Sequence, residues 1–545
     1  MANPNPVIKH GLSFFGWFMY VPFLFLIKKS FTKTCWLYSG IYGVLCVCSY
    51  AYWLYNYNPL CLFIAIPISF LATAFLGFVL KLIEKLFIKN AWLVQFLVLC
   101  TFDYLRTLGF LGIHYGLAAY TQWQFNSLIQ FSSVAGVFGL NAIIIFSSAV
   151  IFAFLSKSED KQNLQKRMIS DDMHYDGATY INYVSENSRK MEYTSLKIPV
   201  VAFSIWVVLI ILILIQGKIK LRKNNDYKTV TTVAIQHNDN PDENGIENFN
   251  ESVQRLMKLT DEAFEINPNI KMVIWPETAV VPSIIYHSKS EQNTDRKKLV
   301  NHVIDYFKNH NASFITGNQH IDTNSENGSR IYYNSALLFN EKKGGAAVNP
   351  EIYNKIHLVP FSEYFPYEKY FPHIYKSLLE KQKFFSEPGD EIKIFKTNGL
   401  SIYTPICFEN TFPDLCRQAY KKGARCFICL VNDSWSKSES CQYEHLAMAK
   451  FRAIENGVPV AVSSVSGQTA FIDKNGCLMS MAVPFTESYV IGELAIIPQD
   501  QQPTVYNKTG DIFGYGIAFL LLAVLIIRGL IAIINKVLCQ NAQKQ

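Results

Sequence analysis

Seven apolar segments do most to constrain how this chain of 545 residues can fold. Most of them reach the roughly 20 residues that a helix needs to cross a bilayer. The segments lie at 11–27, 35–55, 60–80, 91–108, 131–155, 198–216 and 514–535. The pattern predicts a membrane domain over residues 1–217, with about six transmembrane helices, and a C-terminal transmembrane helix over 512–536.

Basic residues in the short loops predict which side of the membrane each loop occupies. Loops 28–34, 81–90 and 156–197 are rich in Lys, and the last also contains Arg, whereas 56–59 and 109–130 contain neither. Short basic loops stay in the cytoplasm. We therefore expect 156–197 to be a cytoplasmic linker. The long polar stretch at 217–513, before the last apolar segment, should lie outside the cytoplasm.

Residues 225–503 have the alternating pattern of an α/β domain. Short runs rich in β-branched residues predict strands, and amphipathic stretches between them predict helices. The predicted strands are Thr229–Gln236, Lys271–Trp275, Ser313–Gly317, Tyr333–Phe339, Leu400–Cys407, Ala424–Asn432 and Pro459–Val465. The predicted helices are Asn248–Ile266, Asp295–Asn309 and Tyr443–Glu455. This order indicates sheets covered by helices.

Three residues in this domain are candidates for catalysis. Glu277 follows the strand pattern Met-Val-Ile-Trp, Lys355 lies in Asn-Lys-Ile-His-Leu-Val-Pro-Phe, and Cys407 ends a predicted strand. A base, a cation and a nucleophile are what acyl transfer through a thioester needs. Each residue alone also has a structural explanation: a turn cap, a lysine reaching water or an inert buried cysteine.

A pair of cysteines three residues apart raises the question of a metal site. Cys426 and Cys429 stand in an apolar run that predicts a buried strand. Residues three apart on a strand face opposite sides of the sheet. We therefore predict a strand here and expect no metal.

The three candidates occur in a combination that resembles the nitrilase superfamily. The motifs are Trp-Pro-Glu-Thr, Asn-Lys-Ile-His-Leu-Val-Pro-Phe and Ile-Cys-Phe-Glu, followed by Val-Asn-Asp-Ser-Trp at 431–435 and a helix pattern at 444–457. The resemblance implies a four-layer α-β-β-α sandwich with a Glu-Lys-Cys triad. Together with the flanking apolar segments, it resembles the bacterial apolipoprotein N-acyltransferases over nearly the whole chain.

That resemblance implies roles for particular residues. Glu277 would be the base, Lys355 the oxyanion stabiliser and Cys407 the nucleophile. Glu363 and Glu409 match two further glutamates that support the site in this family.

The implied reaction transfers a fatty acyl chain from a membrane phospholipid, through a Cys thioester, to the N-terminal amine of S-diacylglyceryl-cysteine in an apolipoprotein. The expected partners are therefore a phospholipid donor, a diacylated apolipoprotein acceptor and the bilayer, with no nucleic acid and no cofactor. The expected location is the bacterial cytoplasmic (inner) membrane. There the protein would be multi-pass, with its catalytic domain on the periplasmic side.

The chain departs from the family pattern at three points. Phe408 stands where the family commonly has Tyr, so the ring is kept and the hydroxyl is lost. The stretch from Gln236 to Pro241 lacks a Trp that the family carries after its first domain strand. Seven apolar segments are present where the family usually has eight spans, and we expect the missing one to be the first.

Other functions remain open from the residues alone. A membrane-anchored nitrilase-like amidase on a soluble substrate would need the same triad. A transporter or receptor with an inactive outer domain would need the spans but not the triad. Acyl transfer to another acceptor would use the same site.

Overall fold

A computed structural model describes residues 2–542 except 58, 110–111, 172–195, 224–225, 241–244, 293, 324–327, 343–344, 347–348 and 383–384. The α-helices are Ser13–Gly16, Val21–Lys29, Cys35–Tyr50, Leu54–Tyr57, Pro59–Leu86, Ala91–Leu105, Asn126–Ile129, Ser132–Asp171, Lys197–Arg222, Ile246–Ile266, Ile284–Ser288, Asp295–Asn309, Pro372–Gln382, Pro413–Lys421, Glu439–Asn456, Val505–Thr509 and Ile512–Ala542. Three 3₁₀ turns are Ala118–Gln122, Cys407–Thr411 and Ser434–Ser436.

Several of these helices suit a membrane. Within the described ranges, four are long and apolar enough to cross one: Pro59–Leu86, Ser132–Asp160, Lys197–Arg222 and Ile512–Asn541. The helix Ser132–Asp160 is mostly buried in the bundle, whereas the last two present their apolar side chains outward. Large exposed apolar surfaces of this kind mark contact with lipid or with another protein.

The first apolar segment differs from the continuous span expected at 11–27. It forms two short helices, Ser13–Gly16 and Val21–Lys29, with Pro22 in the first turn of the second. A Cβ on Gly16 would lie 2.2 Å from Thr121 Oγ1, so this turn packs closely against the segment Ala118–Gln122. The close approach and the proline explain why the segment bends.

The expected linker at 156–197 also differs in part from the structure. The helix that begins at Ser132 continues to Asp171, because the polar residues that follow the apolar run include many good helix formers. Residues 172–195 lie outside the described part of the chain, and helix follows again from Lys197.

Two six-stranded sheets form the centre of the α/β domain. In spatial order, the first sheet contains Ser488–Ala495, Thr229–Gln236, Met272–Ile274, Ser313–Thr323, Arg330–Phe339 and Glu351–Asn354. The second contains Leu478–Met481, Ala470–Ile472, Val460–Ser464, Cys426–Val431, Leu400–Tyr403 and Phe395–Thr397. A small hairpin pairs Glu341–Lys342 with Gly345–Ala346.

The sheets and helices make the predicted four-layer sandwich. Helices Ile246–Ile266 and Asp295–Asn309 pack on the first sheet, and their apolar faces join one core with its outer side chains. Helices Pro413–Lys421 and Glu439–Asn456 cover the second sheet. The expected fold, a helical membrane domain with a nitrilase-like α/β domain, is therefore confirmed.

The helix Glu439–Asn456 is buried because it lies between the second sheet and the N-terminal helices. Glu455 Oε1 accepts a hydrogen bond from the backbone N–H of Val137 at 2.9 Å. Gly136, just before it, has φ +64° and lies against the ring of Tyr506. The kink at this glycine exposes a backbone donor that the α/β domain uses.

Candidate active site

Cys407 lies at a sharp turn directly after the second sheet. The strand expected at 400–407 ends already at Tyr403, because Pro405 has no N–H to donate to a ladder. Cys407 has φ +49° and begins the 3₁₀ turn Cys407–Thr411. A non-glycine residue in this conformation is strained and needs support from its surroundings. Its side chain is buried.

Glu409 supplies that support. Its Oε2 accepts from the backbone N–H of Ile406 at 2.9 Å, and its Oε1 accepts from the N–H of Ile356 at 2.7 Å and the hydroxyl of Tyr353 at 2.8 Å. Burial raises the pKa of Glu409 to about 7. This carboxyl joins the turn of the cysteine to the segment that carries Lys355.

The buried Glu277 and Lys355 form a charged cluster with the partly buried Glu363. Lys355 Nζ donates to Glu363 Oε1 at 2.8 Å and lies 3.5 Å from Glu277 Oε1. The Nδ2 of Asn334 donates to both glutamates, at 2.8 Å each. One lysine and one amide therefore hold two carboxyl groups together.

Backbone contacts keep these side chains in place. Glu363 Oε2 accepts from the N–H of Val359 at 2.7 Å, which closes the loop that carries it. The turn of Glu277 lies directly on the strand Ser313–Thr323, where a Cβ on Gly317 would be 2.5 Å from Pro276 O. A glycine is needed there for this close approach.

The electrostatics of the cluster act on the thiol. Burial raises the pKa of the Cys407 thiol well above its ordinary value, and the charge of Glu277 adds to this while Lys355 opposes it. Burial also raises the pKa of Glu277, as does the charge of Glu363. Burial lowers the pKa of Lys355, but the two glutamates outweigh it, so the pKa lies above its usual range. The site thus offers a neutral thiol, a carboxyl with a raised pKa and a fixed cation.

A second polar group lies against the same thiol. Cys407, Asp433 and His445 are buried, and one potential ligand atom from each lies within 4.8 Å of the others. A metal ion bound there would occupy the thiol, so we assign the group to chemistry at sulfur. His445 Nδ1 lies 2.8 Å from Asp433 Oδ2, and its Nε2 is hydrogen-bonded to the Tyr115 hydroxyl.

The structure brings the residues predicted from the sequence together around Cys407: Glu277, Lys355, Glu363 and Glu409. Phe408 packs its ring edge-on against Phe412, with centroids 4.9 Å apart. Cys426 and Cys429 lie on the buried strand predicted for them. Asn334 was missed, although a polar residue inside the apolar run Tyr333–Phe339 is a signal that could have found it.

Two six-stranded sheets covered by helices, with Glu277, Lys355 and Cys407 in the turns that follow three of the strands, define a nitrilase-like α/β domain. Residues 231–496 match the family described as Carbon-nitrogen hydrolase, and residues 6–150 match the Apolipoprotein N-acyltransferase N-terminal domain.

Curated relatives extend the similarity to the full chain. Apolipoprotein N-acyltransferase 1 of Treponema denticola is 33 % identical, over 100 % of this chain and 96 % of its own length. The Treponema pallidum protein of the same name is 32 % identical, over 91 % and 88 %. The apolipoprotein N-acyltransferase of Borreliella burgdorferi is 28 % identical, over 94 % and 90 %. The chain belongs to the apolipoprotein N-acyltransferase family and is a membrane-bound acyltransferase.

Proposed function

We propose that this protein transfers a fatty acyl chain from a phospholipid, through a thioester on Cys407, to the amine of S-diacylglyceryl-cysteine at a lipoprotein N-terminus. The observation that carries the proposal is a buried thiol in a strained turn, under the charges of Glu277 and Lys355, in a protein with membrane-length apolar helices. Its relatives' names support the lipoprotein acceptor.

In the first half-reaction Glu277 takes the proton of the Cys407 thiol. Sulfur attacks the ester carbonyl, the C–O bond breaks, and Glu277 returns the proton to the leaving oxygen of the lysophospholipid. A base whose pKa is raised toward neutral is suited to this exchange. Lys355 and the backbone N–H of Phe408 stabilise the oxyanion, and neither role needs the hydroxyl that Phe408 lacks.

In the second half-reaction the amine attacks the thioester and releases the thiol. A thioester acylates an amine readily, whereas an oxygen ester does so slowly, which is the reason for the covalent intermediate. Because the lysophospholipid leaves before the acceptor reacts, the kinetics should be ping-pong.

We propose that the protein is multi-pass in the bacterial cytoplasmic membrane, with the catalytic domain on the outer side. Acyl chains leave a bilayer only at a cost of about 0.8 kcal/mol per CH₂, so the site must meet the lipid surface. The segment after Glu363 supports this, because Tyr367, Tyr370 and Phe371 are exposed by 55 %, 79 % and 52 %. These aromatic side chains would rest in the membrane interface.

Labelling of the thiol tests the proposal. Purified protein incubated with phospholipid alone should gain one acyl mass on Cys407, and a diacylated lipopeptide added afterwards should gain an amide-linked chain. Cys407→Ala should lose both products. Cys429→Ala is the matched control, since it removes a buried thiol from the strand Cys426–Val431 without touching the site.

The outcomes separate the competing functions. If Cys407→Ala acylated the lipopeptide at the wild-type rate, the proposed mechanism would be refuted. Release of ammonia from small amides, without acylation by phospholipid, would instead identify an amidase. If the protein were a transporter or receptor with an inactive outer domain, we would expect neither acyl transfer nor release of ammonia.

A further inference from the structure

One oxygen beside the catalytic thiol has no partner. Asp433 is 1 % exposed, and its Oδ1 has no hydrogen bond from any residue that the structure describes. A buried acceptor left without a donor is destabilising, because it has lost its hydrogen bonds to water. Such an atom in an active site is explained when a substrate supplies the missing donor.

The other oxygen of Asp433 is fixed by a chain of hydrogen bonds. Oδ2 faces His445 Nδ1 at 2.8 Å. The carboxylate accepts from the proton on Nδ1, and in the neutral imidazole Nε2 then accepts from the Tyr115 hydroxyl that contacts it. Both ring nitrogens are therefore occupied, and His445 positions Asp433 rather than binding substrate itself.

Tyr115 is in turn held by the N-terminal region. Arg106 donates from one terminal nitrogen to the carbonyl of Tyr115 at 2.7 Å and to that of Ile113 at 3.3 Å. Asp103 accepts from Arg106 Nε at 3.0 Å. The free Oδ1 of Asp433 is thus aimed by contacts that begin outside the α/β domain.

The two substrates of the proposed function differ in what they could offer this oxygen. The reacting ester group of a phospholipid has no N–H or O–H donor. The α-amine of the acceptor is an ammonium group near neutral pH, with three donors and a positive charge. A carboxylate beside the thioester is complementary to that group.

We propose that Asp433 binds the acceptor's α-ammonium group and takes its first proton. This inference rests on the function proposed above. One proton passes from nitrogen to Asp433 Oδ1, and the freed lone pair attacks the thioester carbonyl. The C–N bond forms and the C–S bond breaks. The second proton leaves nitrogen through Glu277 to the departing sulfur, and Asp433 releases its proton to water. Ammonium and thioester thereby become amide, thiol and one proton.

This assignment divides the proton transfers between two carboxyl groups. Glu277 would transfer the proton of the sulfur atom in both half-reactions. Asp433 would take a proton from nitrogen, and only in the second half-reaction. A substitution at Asp433 should therefore spare the formation of the acyl-enzyme and impair its reaction with the lipopeptide.

The test compares the half-reactions of Asp433→Asn in the full-length protein. Asparagine keeps the shape and can still accept from His445, but it places an N–H₂ group where the ammonium should bind. Charging by a phospholipid with a labelled acyl chain should proceed at nearly the parent rate. Discharge of the isolated acyl-enzyme by a diacylated lipopeptide should slow by about 100-fold or more, as for loss of a general base.

Two controls keep the result interpretable. Hydroxylamine should discharge the variant's thioester normally, because this small neutral nucleophile does not need an ammonium site. Asp305→Asn removes an exposed carboxylate from the helix Asp295–Asn309 and should behave as the parent in both half-reactions. Beyond these controls, a second test variant, His445→Gln, should slow discharge by lipopeptide while sparing discharge by hydroxylamine.

Several results would overturn the assignment. Normal discharge of Asp433→Asn by lipopeptide would remove its role at nitrogen, and equal loss with hydroxylamine would mean that Asp433 only shapes the thioester. Equal loss of charging would assign it to both halves. If the parent protein is never charged by phospholipid, the proposed function fails instead.

Discussion

Asn334→Leu offers a direct test of how the charged cluster sets the basicity of Glu277. Leucine has the same branching as asparagine but no donor, so both 2.8 Å hydrogen bonds, to Glu277 and to Glu363, are lost. A hydrogen bond to a charged group contributes about 1.5–3 kcal/mol. One pKa unit corresponds to about 1.4 kcal/mol. The pKa of Glu277, already raised by burial, should therefore rise by about 1–2 units further.

The sign of the effect on rate follows from the proposed role of Glu277 as a base. A higher pKa leaves less carboxylate at any pH below it, so the acylation of Cys407 should slow by about 10- to 100-fold on the acid side. The rate should recover as the pH rises past the new pKa. The neighbouring charges of Lys355, Glu363 and Asp433 stay in place.

Single-turnover charging with a labelled phospholipid, measured across a series of pH values, checks this prediction. The acid limb of the profile should move to higher pH by about 1–2 units. Asn340→Leu is the matched control, because Asn340 follows the same strand and donates to Glu351 at 3.3 Å, away from the thiol. An equal loss of rate at every pH, or an unmoved profile, would refute the reasoning.

Two further substitutions test the supports of the site. Glu409→Gln puts an amide donor among backbone N–H groups that need an acceptor, so we expect a loss of about 1–3 kcal/mol of stability and slower charging, measured by thermal unfolding and acyl labelling. Arg452→Met leaves Glu455, 2.9 Å from it and equally buried, without its cation. The expected loss is about 3–5 kcal/mol, seen as a lower unfolding temperature. An unchanged melting curve would contradict either expectation.

The sequence predicted the α/β domain well where signals are local. The strand Thr229–Gln236 and the helix Asp295–Asn309 have the expected bounds. The helix starts where Thr294 accepts from the N–H of Lys297, and its buried residues recur on one face. Caps and periodicity depend on neighbours within one turn, so they can be read from the chain itself.

The remaining features depend on contacts between distant parts of the chain. Tyr115 and His445 are 330 residues apart, and no local pattern pairs them. Asn334 stands out as polar in an apolar run, but its two glutamate partners are known only from the fold. The bend near Gly16 likewise follows from the approach of Thr121. Tertiary packing, rather than local preference, decides each of these.

Asp103 and Arg106, in the apolar segment 91–108, argue against the transporter alternative. Asp103 is 1 % exposed, and its Oδ2 accepts from the Tyr20 hydroxyl and from Asn141 Nδ2, each at 3.0 Å. Arg106 Nε donates to the other oxygen, Asp103 Oδ1, at 3.0 Å. An ionisable residue on a transport path must be open to its cargo, whereas this carboxylate is enclosed by three fixed donors.

The same network has a use in the acyltransferase that a transporter would not need. Arg106 also donates, from Nη1, to the carbonyls of Ile113 and Tyr115. Tyr115 then contacts His445, which holds Asp433 against the thiol. Charge placed in an apolar helix is costly unless it is paired, and here the paired charges fix a tyrosine that reaches the proposed catalytic site. The paired charges of Asp103 and Arg106 are thereby explained as scaffolding for the proposed active site.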